Sequence, residues 1–144
     1  MIQRIQTIYL LLAAASSLSL LALPFASSSE NISASALFAD STYNLQDNIA
    51  LLVLFALGGA LALIAIFLFK NRKLQIKIGQ SVILLLAIGV GVTAYLWFSD
   101  GTMDKATLGL GMFAPLSGFI FTFLAIRAIR KDEKLVRSAD RLRD

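Results

Sequence analysis

Few residues of this 144-residue chain have side chains that do chemistry. The sequence contains no Cys and no His, which excludes thiol nucleophiles, disulfides, thiolate or imidazole metal sites, bis-imidazole haem and Ser-His catalysis. Two candidate pairs of closely spaced carboxylates are Asp100 with Asp104 and Asp132 with Glu133. The first pair can hold a cation only weakly, and the second lies among Arg and Lys side chains that favour solvated ion pairs. We therefore predict no catalytic residue, no metal site and no cofactor.

The other side chains that could act on a solute are hydroxyls. Thr93, Ser117 and Thr122 lie within long apolar segments, where hydroxyls commonly bond to the backbone of their own helix. A transporter or channel usually offers ionisable or strongly polar groups at membrane depth, because a moving ion needs a substitute for its water shell. The apolar segments contain no charged residue, so transport is the weaker hypothesis.

Four apolar segments must position these side chains. Their spans are approximately residues 5–23, 49–69, 78–98 and 108–129, and the apolar part of the last ends at residue 126. A helix of about 20 residues covers the roughly 30 Å hydrocarbon core of a bilayer and satisfies its backbone groups without water. We therefore predict an all-α membrane protein, one domain over residues 1–144, with four transmembrane helices in two antiparallel hairpins.

The distribution of charge predicts the orientation. Of the 13 Lys and Arg residues, all but Lys105 lie before the first span, between the second and third, or after the fourth. By the positive-inside rule both termini are cytoplasmic, and residues 24–48 form an outer loop. The basic cytoplasmic face favours anionic lipid headgroups as a partner. Nothing resembles a nucleic-acid recognition module, so we predict no nucleic-acid partner.

Two segments have alternative interpretations. The first span could be a cleaved signal peptide, but its apolar run is longer than a usual h-region and Pro24 makes a poor cleavage site. The outer loop, rich in Ser, Ala and Asn, is predicted to be loosely ordered or to rest on the membrane interface, with a docking site for an outer partner as the alternative. Asn31-Ile32-Ser33 matches a glycosylation sequon, a short pattern that is common by chance.

Small residues within the spans predict close contacts between helices. Lipid supplies no hydrophobic force between helices, so small side chains allow two backbones to approach and pack, either within the bundle or against another subunit. Pro115 cannot donate a hydrogen bond to the carbonyl of Gly111, which predicts a kink, usually a static one, within the fourth span. The predicted packing residues are Gly58, Gly59, Gly89, Gly91, Gly111, Pro115 and Gly118.

The cytoplasmic tail, residues 130–144, has the pattern of an amphipathic helix. Glu133 and Arg137 are spaced as an i, i+4 pair on such a helix. The apolar residues that share one stripe are Leu135, Val136, Ala139 and Leu142. We expect the fourth helix to continue into the cytoplasm, where the stripe must lie on headgroups, on the link between the second and third spans, or on a partner.

Three stretches of the chain resemble one protein family. They are MIQRIQTIYLLLA at residues 1–13, FKNRKLQ at residues 69–75 and IRKDEKLVRSADRLR at residues 129–143. Over its whole length the chain resembles small four-span inner-membrane proteins of Bacteroidota that are described as a domain of unknown function. The resemblance implies a bacterial inner membrane, and it transfers no activity and no active residue.

The stretches that carry the resemblance lie at or near the cytoplasmic face, so we expect the functional surface there. The leading hypothesis is a non-enzymatic accessory or stabilising subunit of a larger membrane complex, in contact with other membrane-protein subunits. A small oligomeric transporter or channel is the alternative, and a lipid-modifying enzyme is disfavoured because His, Cys and membrane-embedded carboxylates are missing. The predicted partner-binding residues are Arg4, Asn71, Arg72, Gln75, Asp132, Glu133, Arg137, Asp140 and Arg141.

Overall fold

The computed structural model describes the backbone of residues 3–143 and the side chains of residues 5–102 and 104–141. Most of this part of the chain is helical. The four helices are α1 (Gln3–Ser19), α2 (Ile49–Phe67), α3 (Arg72–Asp100) and α4 (Ala114–Arg143). Three candidate spans are long and apolar enough to cross a membrane, namely Ile49–Phe67, Arg72–Asp100 and Leu110–Arg141. The all-α prediction is confirmed.

The first helix is shorter than the other three. α1 has 17 residues, about 25 Å at 1.5 Å per residue, and it ends at Ser19, four residues before the predicted end of the first span. Tight turns continue it, in which the N–H of Leu21 donates to the carbonyl of Leu18 and that of Leu23 donates to the carbonyl of Ser19. These turns extend the apolar segment toward Pro24.

The helices form an antiparallel four-helix bundle. α1 packs against α2 and α4, and α3 packs against the same two helices. Residues 68–71 join α2 to α3 in a tight turn, in which the N–H of Asn71 donates to the carbonyl of Leu68. We call the end where α1 and α3 begin and α2 and α4 end the basic end, because its loops and termini carry most of the Lys and Arg residues. The opposite end is the sheet end.

Glycines allow α2 to approach α1. A Cβ at Gly59 would lie 2.7 Å from Cγ of Leu18, and a Cβ at Gly58 would lie 3.6 Å from Oγ of Ser17. The Ser17 hydroxyl donates to the carbonyl of Phe55 at 2.7 Å, a buried hydrogen bond between α1 and α2. Two adjacent glycines therefore provide the close backbone approach that the small-residue pattern predicts for helices in lipid.

Glycines on α3 and α4 differ in what they contact. A Cβ at Gly89 would lie 2.7 Å from Cζ of Phe55, so the Phe55 ring occupies the space that a side chain would need. A Cβ at Gly118 would lie 3.4 Å from Cδ1 of Leu86. Gly91 is exposed, and a Cβ there would have no described atom within 4 Å, so this residue takes no part in packing within the chain.

Gly111 lies just before α4 and Pro115 lies in its first turn, both near the start of the candidate span Leu110–Arg141. A 3-10 helix, Leu110–Phe113, precedes α4, which begins at Ala114, six residues after the predicted start of the fourth span. Pro115 is the second residue of α4, in the first turn, where proline is well tolerated. The carbonyl of Gly111 accepts a hydrogen bond from the N–H of Ala114 instead. The kink predicted within the span is therefore corrected to a helix start at the proline.

The predicted outer loop folds together with the connection between α3 and α4. Strand β1 (Ala26–Ser28) pairs antiparallel with both β2 (Thr42–Tyr43) and β3 (Ala106–Leu108) in the order β2-β1-β3. Beneath the sheet, the rings of Phe25 and Tyr43 have centroids 5.2 Å apart. The segment that composition predicted to be loosely ordered is therefore held by a sheet and a buried aromatic cluster.

Asp100 takes part in the folded structure at the sheet end, which we call the cap and which comprises the three strands and the aromatic cluster beneath them. Its Oδ2 accepts a hydrogen bond of 2.5 Å from the Ser35 hydroxyl and one of 2.7 Å from the Thr102 hydroxyl. Ser35 also accepts hydrogen bonds from the N–H groups of Leu37 and Phe38. The carboxylate thus fastens the middle of the 24–48 segment to the end of α3.

Candidate functional site at the basic end

Gln75 and Asn71 shape the turn between α2 and α3. Gln75 is buried, and its Nε2 donates to the carbonyl of Ala65 at 2.9 Å. That carbonyl lies in the last turn of α2 and also accepts a hydrogen bond from the N–H of Leu68, so Gln75 supplies it with a second donor. Asn71 is the N-cap of α3, and its Oδ1 accepts from the N–H of Leu74. Both side chains that sequence analysis assigned to partner binding therefore make contacts within the chain.

Arg72 and Asp132 connect α3 to α4 at the same end. Nε of Arg72 lies 3.0 Å from Oδ2 of Asp132, and the two side chains are 26% and 12% exposed. The Nε–H bond of the Arg72 guanidinium is not aligned with this carboxylate oxygen. The contact is therefore an ion pair without a well-formed hydrogen bond. A partly buried pair is screened less than a surface pair and stabilises the docking of the two helices more strongly.

Three buried polar atoms at this end have unmet hydrogen-bonding capacity. Nε2 of Gln6, Oε1 of Gln75 and Oδ2 of Asp132 have no hydrogen-bond partner among the described residues. Leaving a buried donor or acceptor unpaired costs about 1–3 kcal/mol, and ordered water commonly supplies the missing partner. We use the name polar layer for these three buried groups at the basic end, an amide donor on α1 and oxygen acceptors on α3 and α4.

Gln6 belongs to this layer, although sequence analysis did not select it. The sequence did contain a signal for its burial, because Gln6 lies near the start of an apolar run and four residues before the buried Leu10. On a helix, residues four apart share a face, so a buried Leu10 predicts an inward-facing Gln6. The described residues contain no group of three or more His, Cys, Asp or Glu that could hold a metal ion.

The end of α4 projects beyond the bundle. Residues 134–141, which we call the projecting segment, are exposed on every side of the helix. Val136 follows the buried residues Asp132 and Ile129 by four and seven positions, so the face that packs in the bundle continues past its end. Leu135 is 49% exposed and Val136 is 40% exposed. An apolar strip on a basic helix thus remains uncovered by the described chain.

The other predicted partner-binding residues lie on or beside this segment. Nη2 of Arg137 lies 2.9 Å from Oε1 of Glu133, the i, i+4 pair expected from the spacing. Asp140 and Arg141 are exposed, and the side chain of Arg4 lies outside the described part. The nine predicted residues therefore separate into a set that contacts the chain itself (Asn71, Arg72, Gln75 and Asp132), an exposed set on α4, and Arg4.

Comparison with known proteins gives one match. The family DUF4293, described as a domain of unknown function, matches residues 2–142. No curated protein and no solved structure matches the chain. The match covers nearly the whole sequence and agrees with the expected membership of a family without an assigned activity.

Proposed function

We propose that this chain, which belongs to the DUF4293 family, is a non-enzymatic protein of the bacterial inner membrane that acts as an accessory or stabilising subunit of a larger membrane complex. It crosses the membrane four times, with the basic end in the cytoplasm. Its projecting segment contacts another subunit of that complex. The observation that carries the proposal is the uncovered apolar strip formed by Leu135 and Val136.

The outer surface of α1 supports a fourth crossing beside the three candidate spans. Ile5, Ile8 and Leu11 are 49%, 54% and 53% exposed, although they lie on a helix that is embedded in the bundle on its other side. Exposed apolar surface of this extent is stable in lipid and unfavourable in water. α1 packs between α2 and α4, both candidate spans. Together with the turns up to Leu23, its length supports a short fourth span.

The positive-inside rule supports the orientation. Three lysines are exposed at the basic end, namely Lys70 before α3 and Lys73 and Lys77 in its first two turns. The basic residues of the projecting segment lie at the same end. Lys105 is the single Lys or Arg of the chain in the connections at the sheet end. The basic end also attracts anionic headgroups, which contribute about 1 kcal/mol per cationic side chain near the surface.

The bundle gives less support to the transporter hypothesis. The hydroxyls of Thr93 and Thr122 donate to the carbonyls of Gly89 and Gly118, each one turn earlier on the same helix. Ser117 likewise donates to a carbonyl of its own helix. Hydroxyls engaged in this way offer a solute only their remaining acceptor capacity.

The accessory role can be tested by purification of the complex in mild detergent. Leu135→Gln with Val136→Gln removes the apolar strip and keeps helix-compatible side chains. Lys134→Gln is the control, because Lys134 is exposed on the same segment and faces away from the strip. We expect other membrane subunits to co-purify with the wild type and the control in constant ratio, and their recovery with the strip variant to fall roughly tenfold, since loss of about 1.4 kcal/mol has that effect.

Equal recovery with the strip variant, or isolation of the chain alone from native membranes, would contradict the accessory role. The orientation has a separate test, because a chain without Cys suits labelling of single introduced thiols. A membrane-impermeant maleimide added outside intact cells should label Ser29→Cys and Asp104→Cys. It should label Lys73→Cys and Ser138→Cys only after lysis, and the reverse pattern would refute the orientation.

A further inference from the structure

Helices α3 and α4 are in close contact in one half of the bundle and separate in the other. Near the basic end, a Cβ at Gly79 would lie 2.9 Å from Cγ1 of Ile126, so the two backbones are close. At the middle of the bundle, Gly118 meets Leu86 at ordinary contact distance. Beyond this level, toward the sheet end, the space between the helices opens into a cavity of about 680 Å³.

Main-chain hydrogen bonds hold the start of α4 away from α3. The N–H of Gly109 donates to the carbonyl of Phe25 at 2.8 Å, and the N–H of Gly111 donates to the carbonyl of Pro24 at 3.0 Å. A Cβ at Gly111 would collide with that Pro24 carbonyl. The chain before α4 is therefore fixed to the segment that follows α1, and the opening beside α3 is a built feature of the fold.

The dimensions of the cavity fit a linear apolar group. Its wall on α3 runs from Leu86 to Phe98, about 18 Å at 1.5 Å per residue. Half of the roughly 30 Å hydrocarbon core is close to this length, so the cavity spans the depth of one leaflet. Its volume is within the range of about 300–1,000 Å³ that is typical of small-molecule sites.

The wall offers almost no polar group. The Thr93 hydroxyl, which lies on the wall, is engaged with the carbonyl of Gly89. Trp97 also lies on the wall, and its Nε1 is buried without an acceptor among the described residues. The other lining residues are Phe25, Leu86, Ala87, Val90, Ala94, Phe98, Leu108, Met112, Pro115, Leu116 and Phe119. Water and polar solutes gain nothing from such a lining.

The cavity opens on the side of the bundle that would face lipid. Val90 of α3 is 46% exposed, and Leu116 and Phe119 of α4 are 59% and 39% exposed. Because α3 and α4 are both candidate spans, these side chains meet hydrocarbon when the chain is in a bilayer. A lipid in the leaflet at the sheet end can therefore enter sideways, without crossing a polar barrier.

We propose that this cavity is a binding site for one acyl chain of a membrane phospholipid from the leaflet at the sheet end. The acyl chain lies along α3 between Leu86 and Phe98, and its carbonyl end is at the Trp97 and Phe98 level, near the interface. The bound acyl chain fills the space between α3 and α4 and contacts the side chains of both helices. The site is independent of the projecting segment and of any partner subunit.

The single Trp of the chain makes the site directly measurable. The purified full-length chain in mild detergent is titrated with a phospholipid that carries dibrominated acyl chains, and quenching of Trp97 fluorescence is recorded. We expect saturable quenching at about one phospholipid per chain, reversed by excess unbrominated phospholipid. Ala94→Phe places a ring in the space of the acyl chain and should weaken this quenching roughly tenfold, which corresponds to about 1.4 kcal/mol of binding free energy.

Ala60→Phe is the matched control, because Ala60 is exposed on α2 and does not line the cavity. It should quench like the wild type. Quenching that rises with lipid content without saturation, or that is the same in wild type and Ala94→Phe, would overturn the proposal. Quenching that falls as the ratio of protein to detergent rises would assign the cavity to a second copy of the chain and would also overturn it. If Ala94→Phe does not fold, saturation and competition in the wild type decide the question.

Discussion

Oδ2 of Asp132 lies 3.0 Å from Nε of Arg72, and this ion pair connects the first turn of α3 to the last buried turn of α4. Gln75, one turn after Arg72, donates to the carbonyl of Ala65 on α2. Contacts from one turn of α3 therefore fix both neighbouring helices at the basic end. Arg72, Gln75 and Asp132, three of the predicted partner-binding residues, thus make structural contacts within the bundle.

Removal of Arg72 should destabilise the bundle by leaving the Asp132 carboxylate without its cation. We expect Arg72→Ala to lower the free energy of unfolding by about 1–3 kcal/mol, as for other buried charged groups that lose a partner. Arg72→Leu combined with Asp132→Leu should recover much of this loss. Thermal unfolding in detergent measures the stability of the single and the double variant. Arg137→Ala is the control, because the i, i+4 pair of Arg137 with Glu133 contributes only about 0.3–0.5 kcal/mol.

Two glycines on one helix should respond oppositely to the same substitution. Gly89→Ala places a Cβ 2.7 Å from Cζ of Phe55, and the Phe55 ring is fully buried, so overpacking should cost about 1–3 kcal/mol. Gly91→Ala meets open space and should be neutral or stabilise α3 by up to about 1 kcal/mol. The unfolding midpoints of the two variants, measured in the same detergent, test this difference. Equal midpoints would contradict the packing of the Phe55 ring against Gly89.

The cap should lose stability in alkaline solution through Tyr43. Burial raises the pKa of Tyr43 from its ordinary value of 10.0 to about 12. The folded state therefore holds the phenolic proton more tightly than the unfolded state. The resulting stabilisation is complete below pH 10 and is lost as the pH rises through about 12, by up to about 1.4 kcal/mol per pH unit.

Tyr43→Phe isolates this effect, because the variant keeps the ring and loses the ionisable group. At pH 8 it should be less stable than the wild type by about 1 kcal/mol, the usual worth of a hydrogen bond such as that to the Thr93 carbonyl. Between pH 10 and 12 the gap between the two unfolding midpoints should close and then reverse, because the wild type loses up to about 1.4 kcal/mol per pH unit and the variant does not. A gap that stays constant over this range would show that Tyr43 titrates normally.

The folded cap should protect residues 24–48 from proteolysis. Phe38 and Tyr43 are fully buried, so chymotrypsin should cleave beside them slowly in the detergent-solubilised wild type. Ser35→Ala removes the hydroxyl that bonds Asp100 and should speed cleavage at Phe38 several-fold, since a lost bond of about 1 kcal/mol raises local opening by that factor. Ser29→Ala, at an exposed position of the same segment, is the control. Mass spectrometry of the time course distinguishes the outcomes.

The sequence by itself determined the number and type of the main elements. Uncharged apolar runs of about 20 residues predict helices because no other conformation satisfies the backbone in lipid, and the structure has four helices close to those runs. The i, i+4 spacing of Glu133 and Arg137 likewise predicted their contact, because it depends only on helix geometry. Such features are local and periodic, so they can be read without knowledge of the neighbours.

Tertiary structure decided which side chains face which. Gly89 and Gly91 are indistinguishable in the sequence, but only Gly89 meets the Phe55 ring. Asp132 is adjacent to Glu133, but it pairs with Arg72 of α3 while Glu133 pairs with Arg137 of its own helix. The cap and the cavity both require residues more than 60 positions apart, such as Ser35 with Asp100, to come together. Burial and pairing of this kind depend on how whole helices are placed against one another, and in lipid a uniformly apolar sequence does not encode that placement in its hydrophobic pattern.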